Sequence, residues 1–194
     1  MSRVYKYIKR AMDFLVAVIL LTVLSPLMLL AATLIAVNRD GPILFKQKRP
    51  GKDGKIFTVY KFRTMSTALI DRNGKELSDF ERMTRIGKIL RKTSIDELPQ
   101  LFNVLKGDMS LIGPRPERPF FVDKFKEEIP RYMIKHQVRP GMTGWAQVNG
   151  LRGDTSIRKR IELDLFYIEN WSVSFDIRIL FLTVFKGFVN KNAY

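Results

Sequence analysis

One stretch limits this chain more than any other: FLVAVILLTVLSPLMLLAATLIAVN, Phe14 to Asn38, which contains no charged residue. About 20 apolar residues in a helix cross a bilayer core, so the segment is long enough for one crossing. A signal peptide fits less well, because the apolar run is longer than the usual h-region and lacks a small-x-small cleavage site. The flanks complicate a straight crossing. Arg3, Lys6, Lys9 and Arg10 precede the segment, and Arg39, Lys46, Lys48, Arg49, Lys52 and Lys55 follow it. Positive charge favours the cytoplasmic side, and here both ends claim it. At the centre lie Ser25 and Pro26. Proline removes a backbone hydrogen bond and bends a helix, while a serine hydroxyl can satisfy a freed carbonyl. The expectation is a re-entrant helical hairpin broken at Ser25-Pro26, comprising residues 1–40, with residues 41–194 as one cytoplasmic, membrane-associated domain. A spanning anchor with a tolerated proline is the alternative.

The remaining chemistry is narrowed by what is missing. There is no cysteine, and His136 is the only histidine. Disulfides, Cys-based zinc sites and His-rich metal cages are excluded, and a His-dependent nucleophile is disfavoured. Carboxylates, Lys, Arg and hydroxyls remain, a set suited to phosphates with a hard cation such as Mg²⁺. The 34 Lys+Arg against 19 Asp+Glu give a net charge of +15. Such a surface attracts phosphate, whether in nucleic acid, anionic lipid or a nucleotide.

Hydropathy patterning predicts an α+β fold, mostly helical. Ile43 to Lys48 and Lys55 to Phe62 read as strands of a β-hairpin around a Pro-Gly and Asp-Gly turn cluster, delivering Lys61 and Arg63 to its end. Asp79 to Lys92 has helical spacing, with Phe80, Met83, Ile86 and Leu90 on one side. Pro119 to His136 reads as an amphipathic helix broken near Pro130, and Ile157 to Glu169 as another, with Asp164 among apolar neighbours. Phe175 to Val189 is apolar on nearly all sides, which suits a buried or interfacial helix.

SIDELPQLFNVLKG, Ser94 to Gly107, sets Asp96 beside Glu97 in this basic chain. Ser94 and Glu97 match a capping box, which would make the acids structural. Pro99 stands against a helix so capped, and a helix from Pro99 to Gly107 is equally readable. Arg115 in LIGPRPERP lies between two prolines, presented from a stiff loop fit either for a phosphate or for a rigid turn. The stretch Val138 to Asp154 combines four glycines with Arg139, Arg152, Trp145 and Asn149. It is neither a P-loop nor a dinucleotide fingerprint. An acid pair, isolated cations and a membrane segment together suggest metal-assisted phosphoryl chemistry on a lipid.

These motifs resemble the bacterial sugar transferases known as monotopic phosphoglycosyl transferases. The resemblance runs through the Ser-Pro break, KFRTM at Lys61, SIDELPQLFNVLKGDMSLIGPRP, RPGMTGWAQVNG, and ELDLFYIENWS around Asp164. The ending FLTVFKGFVNKNAY is similar to hexose-1-phosphate transferases of exopolysaccharide synthesis. The resemblance implies transfer of a sugar-1-phosphate from a UDP-sugar to polyprenyl (undecaprenyl) phosphate at the cytoplasmic face of the bacterial inner membrane. It further implies Asp96 as nucleophile, Glu97 as its partner and a Mg²⁺ ligand, and the acid pair as the metal site. Lys61, Arg63, Arg91, Arg115, Arg139 and Arg152 become candidates for phosphate contacts, and Asp164 a supporting acid. Expected partners are UDP-sugar, polyprenyl phosphate and membrane lipids, not nucleic acid; a homo-oligomer and downstream glycosyltransferases are further candidates. Larger members carry additional transmembrane helices and another domain ahead of this unit, so the chain is expected to be either a minimal member or part of a longer one. Three rival readings remain at this point: direct transfer without a covalent intermediate, a membrane-anchored nucleic-acid-binding protein, and a passive scaffold.

Overall fold

The computed structural model describes residues 3–38, 40–70, 73–153 and 155–187. Its first helix, α1 (Arg3–Val37), runs continuously through Pro26. Helical structure is not interrupted at Ser25-Pro26, so a return of the chain would be a bend within α1 rather than a gap between two arms, and the reason is local. Pro26 has no N–H for the carbonyl of Thr22, and the Ser25 hydroxyl donates to that carbonyl at 2.8 Å. The gap in the hydrogen-bond ladder is thereby filled. Only 11% of the most apolar part of α1 is buried, and Leu15, Ile19, Val23 and Leu30 face outward. Such an outer face is that of a lipid-exposed helix rather than a core helix.

β1 (Leu44–Pro50) and β2 (Ile56–Phe62) form the expected antiparallel hairpin, in register from Leu44↔Phe62 to Pro50↔Ile56. The helix foreseen over Asp79 to Lys92 is shorter: α2 (Arg85–Lys92) begins after Thr84, whose side chain accepts from the Gly87 N–H. α3 (Gln100–Lys106) ends at Gly107, which adopts φ 90, a left-handed conformation that glycine enters without a Cβ penalty. β3 (Ser110–Ile112) and β4 (Gly141–Thr143) pair in parallel. A Cβ on Gly141 would lie 2.1 Å from the Gly113 nitrogen, so this approach requires glycine. Between these strands, α4 (Pro119–Glu128) is followed by a 3₁₀ segment, Tyr132–Gln137, matching the break expected near Pro130.

α5 (Trp145–Val148), α6 (Ile157–Glu169) and α7 (Val173–Gly187) complete the chain. The Val189 end of the last expected helix and Asp154 of the glycine-rich stretch lie outside the described residues. On α7, Ile177, Phe181, Val184 and Phe185 are exposed while Ile179 is fully buried.

The two halves of α1 pack on one body. Ala17 belongs to an apolar cluster with Val59, Leu101 and Val104, whereas Ala31 and Ile35 join Phe62 and Leu90 in a second. Val59 and Phe62 are both on β2. Polar contacts fix the helix near its start: Lys9 pairs with Asp176 at 2.6 Å, Arg10 donates to the carbonyls of Val104 and Leu105, and Asp13 accepts from the Ser110 hydroxyl and the Leu111 N–H.

Candidate active site

The acid pair lies where the hairpin end, α2 and the Pro114-Arg115-Pro116 loop converge. Ser94 does not cap a helix: it adopts φ 58 and its side chain makes no capping bond. That left-handed residue turns the chain into a 3₁₀ segment, Ile95–Glu97, and costs on the order of 1 kcal/mol. Pro99 follows, and the true helix starts one residue later at Gln100. Glu97 is therefore held by tertiary partners, not by a helix start.

Glu97 has two cationic partners. Lys61, near the end of β2, donates to its Oε1 at 2.8 Å, and Arg115 contacts Oε1 at 2.6 Å and Oε2 at 3.3 Å. Burial pushes Glu97 up, but the charges of Arg115 and Lys61 outweigh it and hold the carboxyl well below the usual carboxylate range. Asp96 is in the opposite state. Burial, reinforced by the charge of Glu97, pushes it up to about 6 against the partial relief of Lys61, Arg91 and Arg115. One carboxylate is neutralised by direct ion pairs, and its neighbour is buried, desolvated and available. Divergent environments of this kind assign different roles to adjacent acids.

Arg91 closes one side, donating through Nε to the Thr64 hydroxyl at 3.0 Å and contacting the Met65 sulfur. The remaining expected residues are placed differently. Arg63 is buried and donates to the carbonyls of Asp40, Gly41 and Pro42, fastening the passage from α1 into β1. Arg139 donates to the Gly107 carbonyl at 2.9 Å, at the end of α3. Arg152 is half-buried in the α5–α6 loop. Asp164 pairs with Lys135 at 3.1 Å, with both side chains almost fully enclosed.

Two residues that sequence reasoning missed support the site. Asn103, fully buried, accepts from the Tyr60 N–H and donates to the Thr58 carbonyl, locking α3 against β2. Arg49 donates to the Pro116 carbonyl, beside Arg115. A polar residue amid the apolar LFNVL was the available signal for Asn103; Arg49 was hidden among the basic residues flanking the membrane segment.

Among the described residues, no three His, Cys, Asp or Glu side chains cluster as a metal cage. Mg²⁺ does not require one, since it is commonly held by one or two carboxylates together with substrate phosphates. Asp96 and Glu97 fit that requirement.

The family described as bacterial sugar transferase matches residues 4–190. Among curated proteins, UDP-glucose:undecaprenyl-phosphate glucose-1-phosphate transferase of Escherichia coli (strain K12) is 46% identical over 199 residues, covering 100% of this chain and 43% of that protein. UDP-N-acetylgalactosamine-undecaprenyl-phosphate N-acetylgalactosaminephosphotransferase of Aeromonas hydrophila is 51% identical, covering 94% of this chain and 44% of that one. The exopolysaccharide production protein PSS of Rhizobium leguminosarum bv. phaseoli is 47% identical, with coverage of 91% and 93%. The chain thus spans less than half the length of the first two relatives. The match over nearly its whole length shows that this chain belongs to the bacterial sugar transferase family.

Proposed function

We propose that this chain transfers a sugar-1-phosphate from a UDP-sugar to undecaprenyl phosphate, yielding undecaprenyl-diphospho-sugar and UMP, through a covalent intermediate on Asp96. The observation that carries this reading is the unequal acid pair: Glu97 held by Lys61 and Arg115, Asp96 buried beside it and ionised near neutral pH. Relatives named for such transfers to undecaprenyl phosphate support it.

In the first half-reaction an Asp96 carboxylate oxygen attacks the phosphorus that carries the sugar. The bond from that phosphorus to the bridging oxygen breaks, and the bridging oxygen leaves with UMP. In the second, a phosphate oxygen of the lipid attacks the same phosphorus and releases the Asp96 carboxylate. Two displacements each need a single nucleophile in line, which is simpler than bringing two phosphates together at once. Mg²⁺ held by Asp96 and Glu97 would supply charge neutralisation of the diphosphate and of the departing UMP. Lys61, Arg91 and Arg115 reduce repulsion between the anionic substrate and the acids, while desolvation keeps Asp96 a stronger nucleophile than a solvated carboxylate.

We place residues 1–40 in one leaflet as a re-entrant element and residues 41–194 on the cytoplasmic side of the bacterial inner membrane. Packing supports this placement. A straight helix would separate Ala17 from Ile35 by about 27 Å, close to the thickness of a hydrocarbon core, yet both belong to clusters that include β2. A spanning α1 would draw that hairpin into lipid. The outward apolar face of α7 suits the same interface. A role in exopolysaccharide assembly follows the Rhizobium relative's name.

The experiment is incubation of the purified protein with Mg²⁺ and a panel of UDP-sugars without lipid acceptor, following UMP and intact mass, with Asp96→Asn alongside. Stoichiometric UMP and a mass gain of one sugar-phosphate, both lost in the variant, are expected. Release only after polyprenyl phosphate is added would replace the covalent route with direct transfer.

A further inference from the structure

Arg49, next to last in the first strand of the hairpin, does not face the solvent as its neighbours Lys46 and Lys48 do. Its Nε and Nη2 both donate to the Gln47 Oε1, at 3.1 and 2.6 Å, and its Nη1 donates to the Pro116 carbonyl at 2.9 Å. The guanidinium is thus oriented by one side chain and committed to one main-chain atom. Pro116 immediately follows Arg115, the residue that grips Glu97 with both nitrogens.

The Pro114-Arg115-Pro116 loop is tied on its upstream side by main-chain bonds: the Gly113 N–H donates to the Thr143 carbonyl and the Gly141 N–H to the Pro114 carbonyl, each at 2.9 Å. Those bonds belong to the parallel β3–β4 contact. On the downstream side the Pro116 carbonyl is held from the other sheet, by Arg49 of β1. Arg115 therefore sits between two anchors, one from each sheet.

Keeping Arg49 there is electrostatically unfavourable. Burial pushes its guanidinium down to about 10, and the Arg115 and Arg118 charges act in the same direction against the relief of Glu117 and Glu97. A cation placed against like charges and partly desolvated is uneconomical as mere surface decoration.

We infer that Arg49 is a positioning residue for the transfer reaction: through the Pro116 carbonyl it fixes the backbone from which Arg115 reaches Glu97, and Gln47 orients Arg49. This rests on the function proposed above. An error near 1 Å in a supporting group can cost about 10²-fold in rate.

The test is a double-mutant cycle on the full chain in detergent or nanodiscs, using the UDP-sugar that the wild type accepts. Arg49→Ala is expected to lower kcat by about 10- to 100-fold, with KM for the UDP-sugar changed by less than about 3-fold. In an Arg115→Ala background the same substitution should cost less than about 3-fold, because its effect passes through the missing side chain. Gln47→Ala should show a smaller loss that also disappears in that background, and Arg49→Lys, which keeps one donor, should recover part of kcat. Equal losses in both backgrounds, or a loss confined to KM, would overturn the inference in favour of direct phosphate contact or plain structural support. Failure of both Arg49→Ala and Gln47→Ala to fold would overturn it in favour of a structural role. A wild type that turns over no donor removes the proposed function and this inference with it, whereas additive losses in an active enzyme remove the inference alone.

Discussion

Two segments of this chain share the pattern Ser-x-x-Glu, SDFE at Ser78 to Glu81 and SIDE at Ser94 to Glu97, and the fold uses them in opposite ways. At the first, the Glu81 carboxylate accepts from the Ser78 N–H and hydroxyl at 2.8 Å, and the Glu81 N–H donates to the Ser78 oxygen at 3.3 Å. That is a reciprocal capping arrangement, local and exposed. The Ser78 backbone bond, then Lys75 and the Ser78 hydroxyl, hold Glu81 at about 2. At the second, Ser94 is left-handed, its side chain makes no capping bond, and the Glu97 carboxylate is satisfied by Lys61 and Arg115 from distant parts of the chain. A glutamate that its own turn can satisfy is free of the rest of the fold. One that needs two remote cations draws a positive site around its neighbour, and Asp96 is that neighbour.

Removing Asp96 should give the largest effect. Asp96→Asn is expected to lower transfer on the order of 10⁴-fold or more, read as product formed with polyprenyl phosphate. Stability should move the other way. With the folded pKa raised from 3.8 to about 6, ionisation costs on the order of 3 kcal/mol at neutral pH. The sign is that of a raised group: its contribution is fully present below 3.8 and is lost as pH rises through about 6. The asparagine variant should therefore unfold at higher temperature than the wild type at pH 7 and lose that advantage below pH 4. In the wild type, the single-turnover rate of UMP release at subsaturating UDP-sugar, without added lipid, should fall about tenfold per pH unit below 6, as the nucleophile takes up a proton.

Asp164 provides a control carboxylate, matched to a single cation. The Lys135–Asp164 pair is enclosed, so Asp164→Asn leaves a buried charge uncompensated and should destabilise the fold by about 3–5 kcal/mol in denaturant titration. Replacing both partners with apolar residues, Lys135→Met with Asp164→Leu, should recover most of that loss. If the single variant instead unfolds normally and loses transfer, Asp164 is a supporting acid of the site and the contrast with Asp96 fails.

Glu97→Gln tests the coupling within the pair. Without the Glu97 charge, which raises Asp96, and with Lys61 and Arg115 no longer engaged by it, the acid limb of the pH profile should move below 6. Transfer should fall by about 10²-fold because the cations that were held on Glu97 now attract the nucleophile itself. Glu81→Gln, at the exposed counterpart, should leave both the limb and the rate unchanged.

How much of this was readable beforehand depended on the range of the forces. The β-hairpin is set by alternation and by a Pro-Gly and Asp-Gly turn; α6 begins at Ile157 and ends at Glu169 as its pattern indicated; and Gly107 stops α3. Each of these is local chemistry. The acid pair was visible as an anomaly of charge, but its environment was not. Lys61 and Glu97 are 36 residues apart, Arg49 and Pro116 are 67 apart, and the parallel strands join through a long excursion containing α4. Residue spacing carries no signal for such pairings. The helix expected from Asp79 was shortened for a local reason that periodicity does not register, the turn built by Ser78 and Glu81 followed by the Thr84 cap. At Ser94 the capping pattern was legible and misleading, since Pro99 forces the helix to begin later.

The smallest expected effect addresses that last point. If the Ser94 hydroxyl capped a helix, Ser94→Ala would cost about 1 kcal/mol, and glycine there would lose only a few tenths. With Ser94 at φ 58 and making no side-chain cap, alanine should change stability by less than about 0.5 kcal/mol. Glycine should stabilise by about 0.5 kcal/mol, because relief of the left-handed Cβ clash, about 1–2 kcal/mol, exceeds the extra backbone entropy lost on folding, about 0.5–1 kcal/mol. In a protein of this size that gain corresponds to a rise of about 1–2 °C in Tm, and transfer should be retained because the turn leading to Asp96 keeps its path. A loss of transfer in Ser94→Gly without a loss of stability would mean that the restricted serine backbone itself holds Asp96 in line, and the strain at Ser94 would then belong to the chemistry rather than to the fold.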